Sequence, residues 1–310
     1  MKRLLPNFPH SPLPLSSQLL KTTPVNNLRG IACLVCAGLF LVSTDAITKW
    51  LVPHYPPGQI LCVQGSLISL IAIICMRANG ESLLAAPDWR PHLYRGGLYV
   101  IGAFAFLIAL RYLPFAEVVA IAFAGPMFMT LLGKFFLGEP VGWHRLGAVL
   151  AGFVGVLFVI QPTGDALHWA VLLALLVALS DAIRDLVTRQ MASGESNLRI
   201  VFSTAAILAI GGLLTLVGDW KGLRTRDLFW FALSSCTFVI AHFLMVEAYR
   251  YGQLAAVAPF RYIQIIWAIL AGWLIWGEVP STAVFIGIGI ICTSGVYIAW
   301  REALASRTRQ

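Results

Sequence analysis

The sequence predicts an all-α membrane protein with ten transmembrane helices, built as an inverted repeat of five plus five. The composition supports this fold class, since 59% of the 310 residues are hydrophobic and only 12% are charged. A soluble protein of that composition would have too little polar surface to face water. Apolar runs of bilayer-crossing length follow one another along the chain. The second half also repeats motifs of the first half, which is typical of duplicated membrane units.

Each apolar run contains roughly 18 to 25 mainly nonpolar residues, enough to cross about 30 Å of hydrocarbon. The predicted segments, numbered 1 to 10 in chain order, are 30–51, 58–77, 92–112, 115–137, 143–161, 166–189, 198–217, 226–249, 254–276 and 281–301. Ten crossings place both termini on the same side. Lysine and arginine residues near the segment ends concentrate on that side, so the positive-inside rule predicts cytoplasmic termini. The basic loop 221–226 is the exception, because it falls outside.

A constant offset relates the two halves of the chain. Arg111, Tyr112, Ala116, Val118, Gly133, Gly138 and Glu139 recur as Arg250, Tyr251, Ala255, Val257, Gly272, Gly277 and Glu278. Because each half has an odd number of segments, the copies enter the membrane from opposite faces and form an inverted repeat. A weaker echo at a slightly different offset relates residues 44–47 (Thr-Asp-Ala-Ile) to residues 180–183 (Ser-Asp-Ala-Ile).

The repeat defines the domain organisation. Residues 30–161 form the first five-helix repeat and residues 166–301 the second. Residues 1–29 precede them as a proline-rich tail that is predicted to be disordered and cytoplasmic. Residues 302–310 follow as a cytoplasmic C-terminal tail. The repeat further predicts a midplane cavity between segments 1, 3 and 4 and segments 6, 8 and 9.

Arg261 is the first candidate for a substrate contact. An ionisable side chain inside a transmembrane helix costs several kcal/mol on insertion scales unless it faces a partner or a water-filled cavity. Arg261 follows Pro259, which tends to break the helix that begins there, and it shares a helical face with Gln264. Its guanidinium would bind a substrate carboxylate or phosphate. The alternative is a structural salt bridge to Glu117 or Asp45.

Further residues of segments 4 and 9 complete the predicted substrate site. The predicted substrate-binding residues are Arg261, Tyr262, Gln264, Trp267, Glu117 and Phe123. The aromatic rings would stack on a planar ligand, with core or lipid contact as the alternative. Glu117 lies early in segment 4, the counterpart of segment 9, and would act either as a proton carrier or as a fixed partner for an arginine. Pro126 is expected to open segment 4 as Pro259 opens segment 9.

Four residues are predicted to serve gating or ion coupling, namely Asp45, Lys49, Asp181 and Arg184. The i, i+4 spacing of Asp45 and Lys49 favours an ion pair between them, with Lys49 extending to the outer interface. Asp181, Arg184 and Asp185 form a similar cluster near the inner end of segment 6. Because the two groups lie at symmetry-related depths, we expect them to be opposite gates of one cavity.

The sequence gives little support to other classes of protein. Its histidines are scattered over different loops, and no metal, nucleophile or phosphate-binding motif is present. No catalytic residue, metal ligand or cofactor is therefore predicted. The basic residues are spread singly, which argues against nucleic-acid binding. A membrane-embedded enzyme, or a receptor or scaffold protein without transport activity, is the alternative interpretation.

Several motifs together resemble one known family. They are Asp45-Ala-Ile-Thr-Lys49, the Arg-Tyr-(x)4-Ala entry to segment 4, Gly138-Glu139-Pro140, Ala258-Pro259-Phe260-Arg261-Tyr262, and Gly277-Glu278-Val279-Pro280. Their concerted placement resembles the EamA-type ten-helix transporters of the drug/metabolite transporter superfamily. The resemblance covers nearly all of residues 30–301.

The resemblance implies a secondary transporter of the cell inner membrane. Its substrate would be a small polar or amphipathic metabolite such as S-adenosylmethionine, riboflavin, an amino acid or a metallophore, moved by alternating access. Protons are the candidate coupling ion, and the protein would work in the lipid bilayer as a monomer or homodimer. The direction of transport stays open.

Overall fold

A computed structural model describes residues 26–82, 88–137, 143–161, 169–191, 196–218, 220–251 and 257–307. All regular elements within these ranges are helical. They are α1 (Asn27–Leu51), α2 (Pro57–Ala78), α3 (Arg90–Tyr112), α4 (Phe115–Ala122), α5 (Gly125–Leu137), α6 (Trp143–Ile160), α7 (Ala170–Met191), α8 (Asn197–Leu213), α9 (Thr225–Tyr251), a 3₁₀ turn (Ala258–Tyr262), α10 (Ile263–Trp276) and α11 (Thr282–Arg307).

Seven helical stretches of the described chain are long and apolar enough to cross a membrane. Leu146–Ile160 and Asn197–Leu213 form shorter apolar helices, and α7 carries the charged cluster that begins at Asp181. The all-α class is confirmed, and the chain is a multi-pass membrane protein. Ten crossings in two inverted sets of five stay a prediction.

The two terminal helices are longer than predicted. The first helix begins at Asn27 because the side chain of Asn26 accepts a hydrogen bond from the Arg29 N–H at 3.0 Å and caps the helix. The last helix continues to Arg307, so it includes part of the predicted tail 302–310. The rest of that tail, residues 1–25 of the N-terminal tail and the Gly138-Glu139-Pro140 motif lie outside the described residues.

Predicted segments 4 and 9 are both discontinuous. Segment 4 is divided into α4 and α5 at Phe123 and Ala124. Pro126 explains the break, because it has no N–H to donate to the carbonyl of Ala122 four residues earlier. Segment 9 opens with the 3₁₀ turn that contains Pro259 before α10 begins. At the constant offset of the repeat, Phe123 corresponds to Tyr262, so the two breaks occupy equivalent positions.

The helices pack mainly between the two halves of the sequence. The principal pairs are α1 with α9, α2 with α8, α3 with α7, and α6 with α11. Glycines permit the closest approaches. A Cβ atom on Gly155 would lie 2.8 Å from the Gly287 carbonyl oxygen, and one on Gly65 would lie 2.7 Å from the Ala205 carbonyl oxygen. Without a hydrophobic effect between helices in lipid, such small-residue contacts stabilise the interface.

Candidate substrate cavity

A cavity of about 1870 Å³ lies between the two halves. We call the side at which α2 ends and α8 begins the inner side, and the side at which α1 ends and α9 begins the outer side. The cavity extends to the inner side, where Asn79, Glu81 and Ser196 line it. Toward the outer side, its lining on α1 ends at Thr48 and its lining on α9 begins at Ser234. Among the described residues, the cavity is therefore continuous with the inner side and not with the outer side.

A buried polar network closes the outer end of the cavity. Gln64 donates hydrogen bonds through Nε2 to Thr48 Oγ1 and to Ser234 Oγ, both at 2.9 Å. The hydroxyls of Thr44 and Thr237 are 2.8 Å apart. These contacts tie α1, α2 and α9 together below the outer side, and each satisfies a polar group that would be costly to bury alone.

Lys49, Glu278 and Phe115 form a second closure, which we call the outer latch. The Lys49 ammonium pairs with Glu278 Oε1, and the Phe115 N–H donates to Glu278 Oε2 at 2.7 Å. Lys49 Nζ also lies 4.6 Å from the ring centroid of Trp276. The side chains of Lys49 and Glu278 are only 10% and 24% exposed. The latch thus joins the first half of the chain to the second.

The predicted pairing of Lys49 with Asp45 is wrong. Gly277 ends α10 with a positive φ of 68°, a left-handed conformation that favours glycine. The chain then turns so that Glu278 reaches the end of α1. Lys49 is only 9% exposed, so it does not extend to the interface as predicted. Glu278 therefore binds a basic side chain and also accepts a hydrogen bond at the start of α4.

Outside the latch, contacts between residues 55–59 and residues 221–227 close the outer side further. The Tyr55 hydroxyl donates to Asp227 Oδ2 at 2.7 Å, and desolvation raises the pKa of this tyrosine. Gln59 donates through Nε2 to the Lys221 carbonyl at 2.5 Å and accepts from the Lys221 N–H at 3.0 Å. These bonds fix the start of the basic loop 221–226 against α2.

The charged cluster of α7 lines the inner part of the cavity. Arg184 lies 2.7 Å from Asp181 Oδ1 through Nη1, and 3.1 Å from Asp185 Oδ1 through Nη2, which confirms the predicted cluster. Its guanidinium also lies 5.6 Å from the ring centroid of Tyr99. On α3, Arg95 donates through Nε to Thr188 Oγ1 at 2.9 Å. The contacts of Arg184 with Tyr99 and of Arg95 with Thr188 therefore connect α7 to α3 in the inner part of the cavity.

Asp45 lines the cavity but belongs to neither network. Within the part of the chain that the structure describes, its carboxylate has no hydrogen bond and no ion pair. The charged side chain that interacts electrostatically with Asp45 is another acid, Asp181. The two aspartates of the weak sequence repeat, Asp45 and Asp181, therefore lie within electrostatic range of each other.

The predicted substrate contacts divide into two groups. Arg261, Tyr262, Gln264 and Phe123 all line the cavity, and the rings of Phe123 and Tyr262 have centroids 5.3 Å apart. Trp267 packs against the hydrophobic core. Glu117 lies within electrostatic range of Lys49 and Glu278, near the latch. Neither Trp267 nor Glu117 belongs to the described lining.

Sequence reasoning missed several polar residues of the lining. Gln64, Tyr99 and Arg95 were not proposed for the site, although all three line the cavity. Gln64 carried a usable signal, because an isolated amide within an apolar segment needs a partner. Tyr99 carried none, since tyrosine is also common at membrane interfaces.

Broken helices around a cavity between two repeated halves are features of membrane transporters. The model of the EamA-like transporter family matches residues 28–161 and, a second time, residues 168–300. The chain belongs to the EamA-like transporter family, and with it to the drug/metabolite transporter superfamily. The resemblance predicted from the motifs is thereby confirmed.

Curated relatives are named for several small molecules. The chain is 27% identical to a riboflavin transporter of Rhizobium johnstonii, covering 93% of this chain and 96% of the relative. It is 24% identical to an S-adenosylmethionine uptake transporter of Rickettsia conorii, over 90% and 95% of the two chains. It is 23% identical to a pseudopaline exporter of Pseudomonas aeruginosa, over 91% and 97%.

A solved crystal structure shares the fold. It superposes with a TM-score of 0.63 at 19% sequence identity, and the match covers 91% of this chain and 99% of that chain.

Proposed function

We propose that the protein is a secondary transporter that moves a small polar or amphipathic metabolite across the cell inner membrane by alternating access. The observation that carries this proposal is a large cavity at two equivalent helix breaks, continuous with the inner side and closed at the outer side by the latch. Ten crossings with cytoplasmic termini would make the inner side cytoplasmic. The structure then corresponds to an inward-open state.

The substrate site lies at the two breaks. Discontinuous helices expose backbone groups that bind substrates near the bilayer midplane in many transporters. In this proposal Phe123 and Tyr262 contact a planar part of the substrate, while Arg261 and Gln264 bind its polar groups. Glu117 and Trp267 are left out because they lie outside the lining.

The outer latch and the charged cluster of α7 act as the two gates of the cavity. The outer latch holds the outer side closed in the observed state. The Asp181–Arg184–Asp185 cluster takes part in closing the inner side when the outer side opens. The inverted repeat supports this exchange, because symmetric halves can adopt each other's conformation.

Flux measurements test the proposal. The purified protein is reconstituted into liposomes, and uptake and efflux of S-adenosylmethionine, riboflavin and amino acids are measured with and without a pH gradient. We expect saturable flux of at least one class of metabolite, and acceleration by the gradient if protons are coupled. The absence of saturable flux for the whole panel would contradict the transporter function.

Substitution of Arg261 tests the site. R261A is expected to raise the half-saturating substrate concentration by about 10-fold or more, because a charge-assisted hydrogen bond is lost. R77A is the matched control, since Arg77 is an exposed arginine at the end of α2. An unchanged half-saturating concentration in R261A would remove Arg261 from the site.

A further inference from the structure

We infer that Asp45 recognises a positively charged group of the transported substrate, and that this group is attached to a planar ring system. The inference rests on the proposed function, because it assigns the substrate class of the same cavity. The cavity should therefore bind cationic metabolites more tightly than neutral metabolites of the same shape.

The acids that line the cavity point to a cationic ligand. The described lining contains five, namely Asp45, Glu81, Asp181, Asp185 and Glu247. Four of them have protein partners: Ser196 donates to Glu81 at 2.5 Å, Arg184 binds both Asp181 and Asp185, and Arg250 lies 3.1 Å from Glu247. Within the described chain, only Asp45 has no such partner. A carboxylate in a membrane cavity needs a counter-charge, and here the protein leaves that role to a ligand.

The break between α4 and α5 also favours a cationic ligand. Ala122 and Phe123 line the cavity at the C-terminal end of α4. Pro126 deprives the Ala122 carbonyl at this end of its usual helical donor, and a carbonyl oxygen binds cations. Ends of this kind bind cations in other broken-helix transporters. The Ala122 carbonyl and the Asp45 carboxylate both favour a positively charged group on the ligand.

Aromatic rings line the cavity at both helix breaks. Phe123 and Tyr262 occupy the two equivalent breaks, and their rings are 5.3 Å apart at an angle of 47°. Tyr99 lies within electrostatic range of Asp45. Faces of aromatic rings attract both planar rings and cations. A ligand with a cationic centre next to a planar heterocycle would use the rings and the carboxylate together.

The test compares two probes that differ in this charge. S-adenosylmethionine carries a sulfonium cation, whereas S-adenosylhomocysteine has a neutral thioether in the same place and the same adenine ring. Binding of each probe to the purified protein is measured by competition against labelled S-adenosylmethionine, with riboflavin as the neutral planar probe. We expect wild type to prefer the sulfonium by about 10-fold or more, and D45N to lose that preference while its affinity for the thioether changes by less than about twofold.

Two variants control for folding and for charge in general. D45E keeps the carboxylate and should keep the preference, and it serves as the reference if D45N fails to elute as a single species. E247Q removes a cavity carboxylate that is already paired, so the preference should persist. Equal affinity of wild type for the two adenosyl compounds, or a preference retained in D45N, would overturn the inference. If riboflavin is transported saturably while no cationic probe binds, the inference fails and the proposed function stands.

Discussion

Replacing Glu278 by glutamine is expected to destabilise the protein and to open its outer side. The Lys49 ammonium, with a side chain only 10% exposed, would lose its counter-charge. Removing one partner of a buried ion pair costs about 3–5 kcal/mol, because the other charge is left uncompensated. The melting temperature of the purified protein should therefore fall by roughly 5 °C or more.

Two further variants separate the latch from a general loss of charge. K49M/E278Q removes the stranded ammonium while keeping an acceptor for the Phe115 N–H, so it should recover much of the loss. E247Q breaks an ion pair whose arginine side chain is 68% exposed, so its effect should be small. An equal loss in E247Q and E278Q, or no recovery in the double variant, would contradict the assignment of the latch.

Replacing Arg184 by alanine is expected to abolish most transport. Arg184 binds Asp181 and Asp185 at once, and Asp45 lies near Asp181. Its loss leaves Asp181 and Asp185 without their shared cation, within electrostatic range of the Asp45 carboxylate. Because the cluster takes part in the proposed inner gate, initial uptake at equal protein amounts should fall by about 100-fold or more, equivalent to about 3 kcal/mol on the rate-limiting step.

The geometry of the cluster predicts a graded response. R184K keeps the charge but cannot bind two carboxylates as a planar guanidinium does, so it should restore only part of the flux. R250A removes the exposed arginine of the Glu247 pair and should change uptake by less than about twofold. Full activity in R184A, with normal levels in the membrane, would show that the cluster is not needed for transport.

The structural features that could be predicted from the sequence depend on short-range patterns. Apolar length predicts helices, and Pro126 and Pro259 predict breaks, because a proline removes a specific backbone donor. The constant offset then placed Phe123 and Tyr262 at equivalent positions. Arg261 and Gln264 were expected at a cavity because of the buried charge, the preceding Pro259 and their shared helical face, and both line one.

The latch was not predictable in the same way. Lys49 and Glu278 are 229 positions apart, and their contact depends on how the two halves pack. Local spacing offered Asp45 as a closer partner for Lys49, and that choice was wrong. This error also affects Asp45. Because Lys49 pairs with Glu278, Asp45 is left as a cavity acid for which we infer a ligand.

Access to Ala122 from the two faces tests alternating access most directly. Ala122 lines the cavity at the α4 break. In a variant without the six native cysteines, A122C is treated with a membrane-impermeant maleimide in inside-out and right-side-out vesicles. We expect labelling mainly from the cytoplasmic face. Adding E278Q should raise the rate from the outer face and lower the rate from the cytoplasmic face. Rates that rise together at both faces, or an outer rate that E278Q leaves unchanged, would contradict a single cavity with alternating gates.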